Sequence, residues 1–241
     1  MLRVLMVFFM FSVAVSGAAA AEDTAVDKVS ASLQRIIPGS KPDSIEPSSL
    51  PGMYEVTYGA EVFYVSEDGR YLLNGSLMDL SNGRNLTEDK RAAGRLKLIK
   101  SVDESNTIVF SPAKVKHSVI VFTDIDCPYC RRLHQEMAEL NNQGIEIRYI
   151  LFPRAGAKSK SYDKAVAVWC SEDRQKALTD AKAGKPVAEK TCDNPIDENL
   201  ALVDKLGISG TPTLVLENGQ LIPGYVPAAR LAALLDSGSD L

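Results

Sequence analysis

Cys127-Pro128-Tyr129-Cys130 follows the apolar run Val119-Ile120-Val121-Phe122 and leads into Arg131 to Leu140, a stretch that reads as a helix. A short, uninterrupted apolar run fits a fully buried strand, so the two thiols sit where a buried strand hands over to a helix. At the start of a helix the backbone N–H groups have no intrahelical partner and the macrodipole is positive, which favours a thiolate there. Cys127 is therefore expected to be the low-pKa, exposed nucleophile and Cys130 the buried resolving thiol. Pro128 suits the first helical position, where its missing N–H would be unpaired in any case. It leaves the N–H groups of Tyr129 and Cys130 to face the Cys127 sulfur. Arg131 and Arg132 add positive charge nearby.

A CxxC is also the commonest zinc-knuckle spacing. The other two cysteines argue against a metal: Cys170 and Cys192 are far apart, form no second CxxC, and neither has a histidine at ligand spacing. A redox dithiol is the reading that stays, with no metal and no cofactor expected.

The compartment agrees with redox chemistry. Arg3, the apolar stretch Val4 to Val15 and the small-residue run Gly17 to Ala21 form a secretory signal with cleavage after Ala20 or Ala21. Its apolar core is too short to span a bilayer. Without Arg3 the 27 basic residues fall to 26 against 31 acidic ones, a balance that offers nucleic acid nothing. Four cysteines in an exported chain suggest disulfide chemistry, although spacing alone does not give connectivity.

About 220 residues follow the signal, and their pattern favours two domains. A short helical pattern (Val26, Val29, Leu33, Ile36, Ile37) stops at Pro38-Gly39, and a proline-spaced stretch follows through Pro42, Pro47 and Pro51. Tyr54–Tyr58, Val62–Val65 and Tyr71–Leu73 are β-rich runs punctuated by Gly59 and by Asp68-Gly69, and Leu77–Leu80 is expected to extend that sheet. So thin a segment gains burial by pairing with a second copy. Asn85 with Glu88 three residues on resembles a capping box. It opens the basic helical stretch Lys90 to Lys100, whose charges read as a solvated face. From Ile108 a β-α-β unit builds around the CxxC, with Ile145–Phe152 as its second strand. A helix over Asp197–Leu206, a strand from Thr211 to Leu216, the turn Asn218-Gly219, the strand Gln220–Ile222 and a last helix over Pro227–Leu235 complete the sheet.

With these elements the chain resembles the thioredoxin superfamily, in which a CxxC opens a helix beside a cis-proline loop. Thr211-Pro212 is the matching dipeptide, and the resemblance implies a cis bond there that brings a backbone edge near Cys127 to hold an extended polypeptide. The exported N-terminal β segment, linker helix and Phe122-Thr123-Asp124 before CPYC narrow the likeness to the bacterial periplasmic disulfide isomerases of the DsbC and DsbG group. That resemblance implies an α+β chain with a signal peptide over 1–21, a β-rich dimerisation domain over 22–83 and a linker helix over 84–106. A thioredoxin-like α/β domain follows over 107–241, with a helical insertion at about 153–200. It also implies a periplasmic, V-shaped homodimer with an apolar cleft for misfolded disulfide-containing exported proteins, and reduction by a membrane electron donor of the DsbD type. Cys170 and Cys192 match the second cysteine pair of the DsbC type and are expected to form a structural disulfide, whereas Pro128-Tyr129 is the dipeptide associated with DsbG.

Thiol exchange supplies the mechanism: Cys127 attacks a wrong disulfide, the freed substrate thiol attacks elsewhere, and Cys130 resolves stalled mixed disulfides by reduction. Thr211, Pro212 and Tyr129 are the expected substrate-binding residues. The alternatives are a DsbG-like reductase or holdase chaperone, and a dithiol oxidase; a shift of about 30 mV in potential corresponds to only about 1.4 kcal/mol. The position six residues before Cys127, where thioredoxins often bury an acid, holds Val121, so that proton relay does not carry over. Asp124 and Asp126 read as a solvated turn, His134 as a lone surface histidine, and Trp169 and Tyr162 as packing residues of the insertion.

Overall fold

The computed structural model describes residues 18–238, so nearly all of the expected signal peptide lies outside the described residues. Among the described residues, no helix is long and apolar enough to cross a membrane. The chain divides into two compact units. One runs to Thr57 and resumes over Phe63–Asn74; the other comprises Tyr58–Val62 and everything from Gly75.

The first helix, α1 (Ala18–Ile36), buries Val29 and Leu33, one turn apart. Strands β1 (Ser44–Pro47), β2 (Met53–Tyr58), β3 (Glu61–Ser66) and β4 (Leu72–Leu73) form one sheet in that order. β1 lies in the stretch read as proline-spaced loop. It pairs antiparallel with β2 from Ser44↔Thr57 to Pro47↔Tyr54, and Pro47 is tolerated because the strand is an edge. Gly69, in the expected turn, has φ +70°, and a Cβ there would meet Ser32 Oγ at 2.5 Å and Lys28 O at 2.9 Å. At the other edge Tyr71, Leu72 and Leu73 stay exposed.

Leu77–Leu80 does not extend this sheet. β5 (Met78–Asp79) pairs instead with β6 (Arg84–Asn85) in a separate ribbon. The reason is local: the Leu77 N–H donates to Thr87 Oγ1 at 2.8 Å and the Leu86 N–H to Leu77 O at 2.9 Å, which ties the segment to the next helix. That helix, α2 (Leu86–Lys100), is capped as its sequence suggests, with Asn85 Oδ1 accepting the Glu88 N–H at 3.0 Å. Its basic face is only partly solvated. Arg95 is buried, pairing with Glu88 and donating to Gly219 O at 3.2 Å.

The larger unit is built on β7 (Ile108–Phe110) and β8 (His117–Thr123), followed by α3 (Pro128–Gln135), α4 (Met137–Asn142) and β9 (Ile145–Leu151). Then come α5 (Lys160–Trp169), α6 (Arg174–Lys182), α7 (Ile196–Lys205), the hairpin β10 (Thr213–Val215) and β11 (Leu221–Pro223), and α8 (Ala228–Ser237). Strand order is β11-β10-β8-β9-β7, with β8 and β9 parallel and the other pairs antiparallel. Alternation along the central strands makes two cores. Val119, Val121, Ile145, Ile147 and Tyr149 face one side, where α5, α6 and α8 contribute Val168, Leu178 and Leu231. Phe122 and Ile150 face the other, with Val203, Leu206 and, from α2, Leu98.

The helix expected over Arg131–Leu140 breaks at Glu136. Its carboxylate leaves the helix face to accept the Ala228 N–H at 2.8 Å and the Tyr225 hydroxyl, placing an anion at the start of α8. Cys170, at the end of α5, is bonded to Cys192 in the irregular segment before α7, with Cα atoms 5.7 Å apart. Closing a loop of 22 residues lowers unfolded-chain entropy by about 3 kcal/mol at room temperature. The bond also takes both sulfurs out of any metal set with Cys127 and Cys130.

Candidate active site

Strand β8 ends at Thr123, and a tight turn through Asp124, Ile125 and Asp126 delivers Cys127 to the N-cap of α3, with Pro128 as the first helical residue. Cys127 has extended φ/ψ of −74° and 122°, and its carbonyl accepts the Arg131 N–H at 3.0 Å, the first turn of the helix. Both thiols are free. The Cys127 thiol donates to the Thr211 carbonyl at 3.2 Å, in the loop where the Thr211–Pro212 peptide bond is cis. The Thr211 hydroxyl is buried with no hydrogen-bond partner among the described residues and lies near enough to influence both active-site sulfurs. Beside this loop lies a cavity of about 440 Å³, walled by Ser209, Gly210, Thr211, Pro212 and Gly224. Tyr129 is 61% exposed at the head of α3.

The two sulfurs titrate in opposite directions. For Cys127, burial is the largest single influence and opposes ionisation. It is outweighed jointly by the Thr211 side chain and the Cys130 backbone N–H and thiol around the sulfur, and by the charge of Arg154, so the pKa falls below the ordinary thiol value. For Cys130 burial wins and the pKa rises, against the opposing charge of Lys182 and the nearby Thr123 side chain. Cys127 is thus the more acidic of the two thiols. The expected exposure of Cys127 does not hold: only 2% of its surface is accessible, because the Thr211 loop covers it while Tyr129 takes the outer position.

Two polar residues, Asp124 and His134, sit differently from their sequence reading. Asp124 is buried rather than solvated, accepting the Asp126 and Arg154 N–H groups at 2.8 and 3.0 Å and lying 3.4 Å from Arg154 Nε. Asp126 is held by Arg131 at 3.1 Å and Lys164 at 2.7 Å. His134 is no surface histidine. Helix α6 packs against α3, and the imidazole is buried between Tyr149 Oη at 3.2 Å and Thr179 Oγ1 at 3.0 Å. Trp169 is buried with Arg174 stacked over it, and Tyr162 donates to Asp197 at 2.9 Å. Two residues that sequence reasoning passed over join the site: Arg154, just after the Phe152-Pro153 end of β9, and Lys182, the last residue of α6. Nothing in the sequence separates Lys182 from its solvated neighbours Lys176 and Lys185.

Burial, with the nearby Lys182 charge, lowers the His134 pKa to about 4. An unfolded histidine titrates near 6.5, so between these values the unfolded chain binds the extra proton and stability falls as pH drops, by up to about 3 kcal/mol. Urea midpoints of the protein should therefore decline from pH 6.5 to pH 4 more steeply than those of His134→Gln. Parallel declines would refute this.

Residues 17–88 match the disulfide bond isomerase protein N-terminal domain, and residues 105–239 match a thioredoxin-like domain. The thiol:disulfide interchange protein DsbC of Escherichia coli (strain K12) is 38% identical over 231 residues, spanning 95% of this chain and 94% of that protein. DsbC of Salmonella typhimurium is 37% identical over 233 residues, spanning 96% and 94%. A crystal structure of a disulfide interchange protein from Neisseria gonorrhoeae, 34% identical with a TM-score of 0.52, covers 56% of this chain and 97% of that one.

Proposed function

The chain belongs to the DsbC family of thiol:disulfide interchange proteins, and on that premise we propose that Cys127 and Cys130 carry its exchange chemistry. The protein is a thiol:disulfide oxidoreductase that rearranges disulfides in other proteins. One observation carries the assignment of roles: two free thiols open α3, with Cys127 at the N-cap against the cis Thr211–Pro212 loop and Cys130 one turn into the helix, an arrangement that lowers the pKa of the first and raises that of the second. Cys127 attacks a substrate disulfide, forming a mixed disulfide and releasing a substrate thiolate that attacks a different sulfur. When rearrangement stalls, Cys130 attacks Cys127 and the substrate leaves reduced. Thr211, Pro212 and the exposed Tyr129 ring hold the substrate segment beside Cys127, the first two lining the 440 Å³ cavity.

Residues 22–83 serve dimerisation, 84–106 the linker and 107–241 catalysis, with the Cys170–Cys192 bond as a structural staple. The exposed apolar edge at Tyr71, Leu72 and Leu73 supports pairing of two copies, since an unpaired, uncharged strand edge is a template for association. Export to the periplasm through the leader at 1–21 and recharging by a membrane donor of the DsbD type complete the reading. Refolding of a scrambled multi-disulfide protein, compared with oxidation of the same protein fully reduced, tests it. Faster recovery of the scrambled form supports an isomerase, and the reverse ranking supports an oxidase.

A further inference from the structure

Lys182 brings a charge into the interior of the catalytic unit. It is 4% exposed, and its Nζ donates to Thr123 Oγ1 at 2.8 Å and to Asp124 O at 3.4 Å. The Tyr149 ring lies 5.5 Å away. The Thr123 side chain and the Lys182 charge both act on the buried Cys130 thiol, so the hydrogen-bonded hydroxyl and amine adjoin that sulfur. Burying an ammonium is costly unless its partners compensate, and here it has a hydroxyl, a carbonyl and a ring but, among the described residues, no carboxylate within ion-pair distance. Lys182 also lines a cavity of about 400 Å³ with Arg131, His134 and Thr179, which gives the amine a route to water.

We propose that Lys182 is a positioning residue for the resolving step, accepting the Cys130 proton through the Thr123 hydroxyl as Cys130 attacks the mixed disulfide. The inference rests on the assignment of Cys127 as attacking and Cys130 as resolving sulfur. The neutral amine takes the Thr123 hydroxyl proton while Thr123 takes the proton from Cys130. The Cys130 thiolate then forms a bond to the Cys127 sulfur and breaks the bond between Cys127 and the substrate sulfur. The enzyme disulfide is the oxidised product and the substrate thiolate the reduced one, and the lysine proton leaves by the cavity.

The groups facing Lys182 give this step its timing. Burial lowers its pKa to about 8, against the supporting charges of Cys130, Cys127 and Asp124, while Arg131 pushes the same way as burial. His134, on the same cavity wall, has its own pKa depressed to about 4 and so is neutral at pH 7. When Cys127 enters a mixed disulfide its negative charge disappears, and the ammonium loses one of the charges that hold its proton. The base is thus released when Cys130 needs it.

The test uses the full mature protein, reduced and mixed with oxidised glutathione, with acid quench and mass spectrometry separating glutathionylation of Cys127 from ring closure by Cys130. Lys182→Met should slow closure at pH 7 by about tenfold and move its pH profile upward, while glutathionylation stays within about twofold. Thr123→Val, which keeps the amine but removes the hydroxyl, should do the same. Lys182→Arg keeps a charge that releases no proton, and closure should stay slow. Unchanged closure in Lys182→Met, equal slowing of both steps, or full rescue by Lys182→Arg overturns the proposal. Glutathione mapped to Cys130 instead of Cys127 overturns the sulfur assignment, and the proposal with it.

Discussion

Cys127→Ser should abolish disulfide exchange, by at least about a thousandfold, the effect of removing a covalent nucleophile, whereas Cys130→Ser should keep the attack and accumulate mixed disulfides with substrate. The two outcomes differ because only Cys127 combines the N-cap of α3 with the neighbouring Thr211 side chain and the Arg154 charge that lower its pKa. The same assignment fixes a pH dependence. With the Cys127 pKa depressed, its thiolate persists below the range of an ordinary thiol, and with the Cys130 pKa raised, the inner sulfur is protonated there. Iodoacetamide at mildly acidic pH should therefore label Cys127 first, slowly in absolute terms because the residue is 2% exposed. Labelling of Cys130 before Cys127, or a Cys130→Ser variant that traps nothing, contradicts the assignment.

Removing residues before Asn106 should leave a folded, monomeric thiol reductant that has lost isomerisation by at least about tenfold. The second sheet keeps all five strands and both of its apolar faces after such a cut, losing only the contribution of α2 on one side. Every redox atom stays. What the truncated chain lacks is a partner: two copies joined through their N-terminal domains offer a tethered substrate a second site at high effective concentration, and a monomer does not. Sedimentation of the full mature chain as a monomer, or undiminished recovery of a scrambled substrate by the truncated one, would count against this role for the N-terminal domain.

The backbone plan was largely legible in the sequence because its signals are local. Val119 to Phe122 needs no partner to read as a buried strand, Cys127 and Pro128 mark a helix start by chemistry alone, and Asn218-Gly219 marks the last hairpin. Those signals, with Thr211-Pro212, placed the dithiol and the loop that touches it. Where the chain has no regular periodicity the reading fell short: β1 hides among prolines because an edge strand needs hydrogen bonds on one side only. Leu77–Leu80 looks like a fourth run of the sheet, yet two hydrogen bonds to the start of α2 claim it.

Tertiary structure alone decided the polar interior. Sequence gives the type of a side chain but not which helix will cover it, and α6, arriving some fifty residues after the CxxC, buries His134 against Tyr149 and sets Lys182 against Thr123. Asp124 likewise turns inward because the backbone and side chain of Arg154, thirty residues away, meet it. The place of Cys127 at a helix terminus was readable from the chain. The accessibility of that nucleophile and the proton chemistry of its partner depend on groups distant in sequence whose desolvation exists only once the fold is closed.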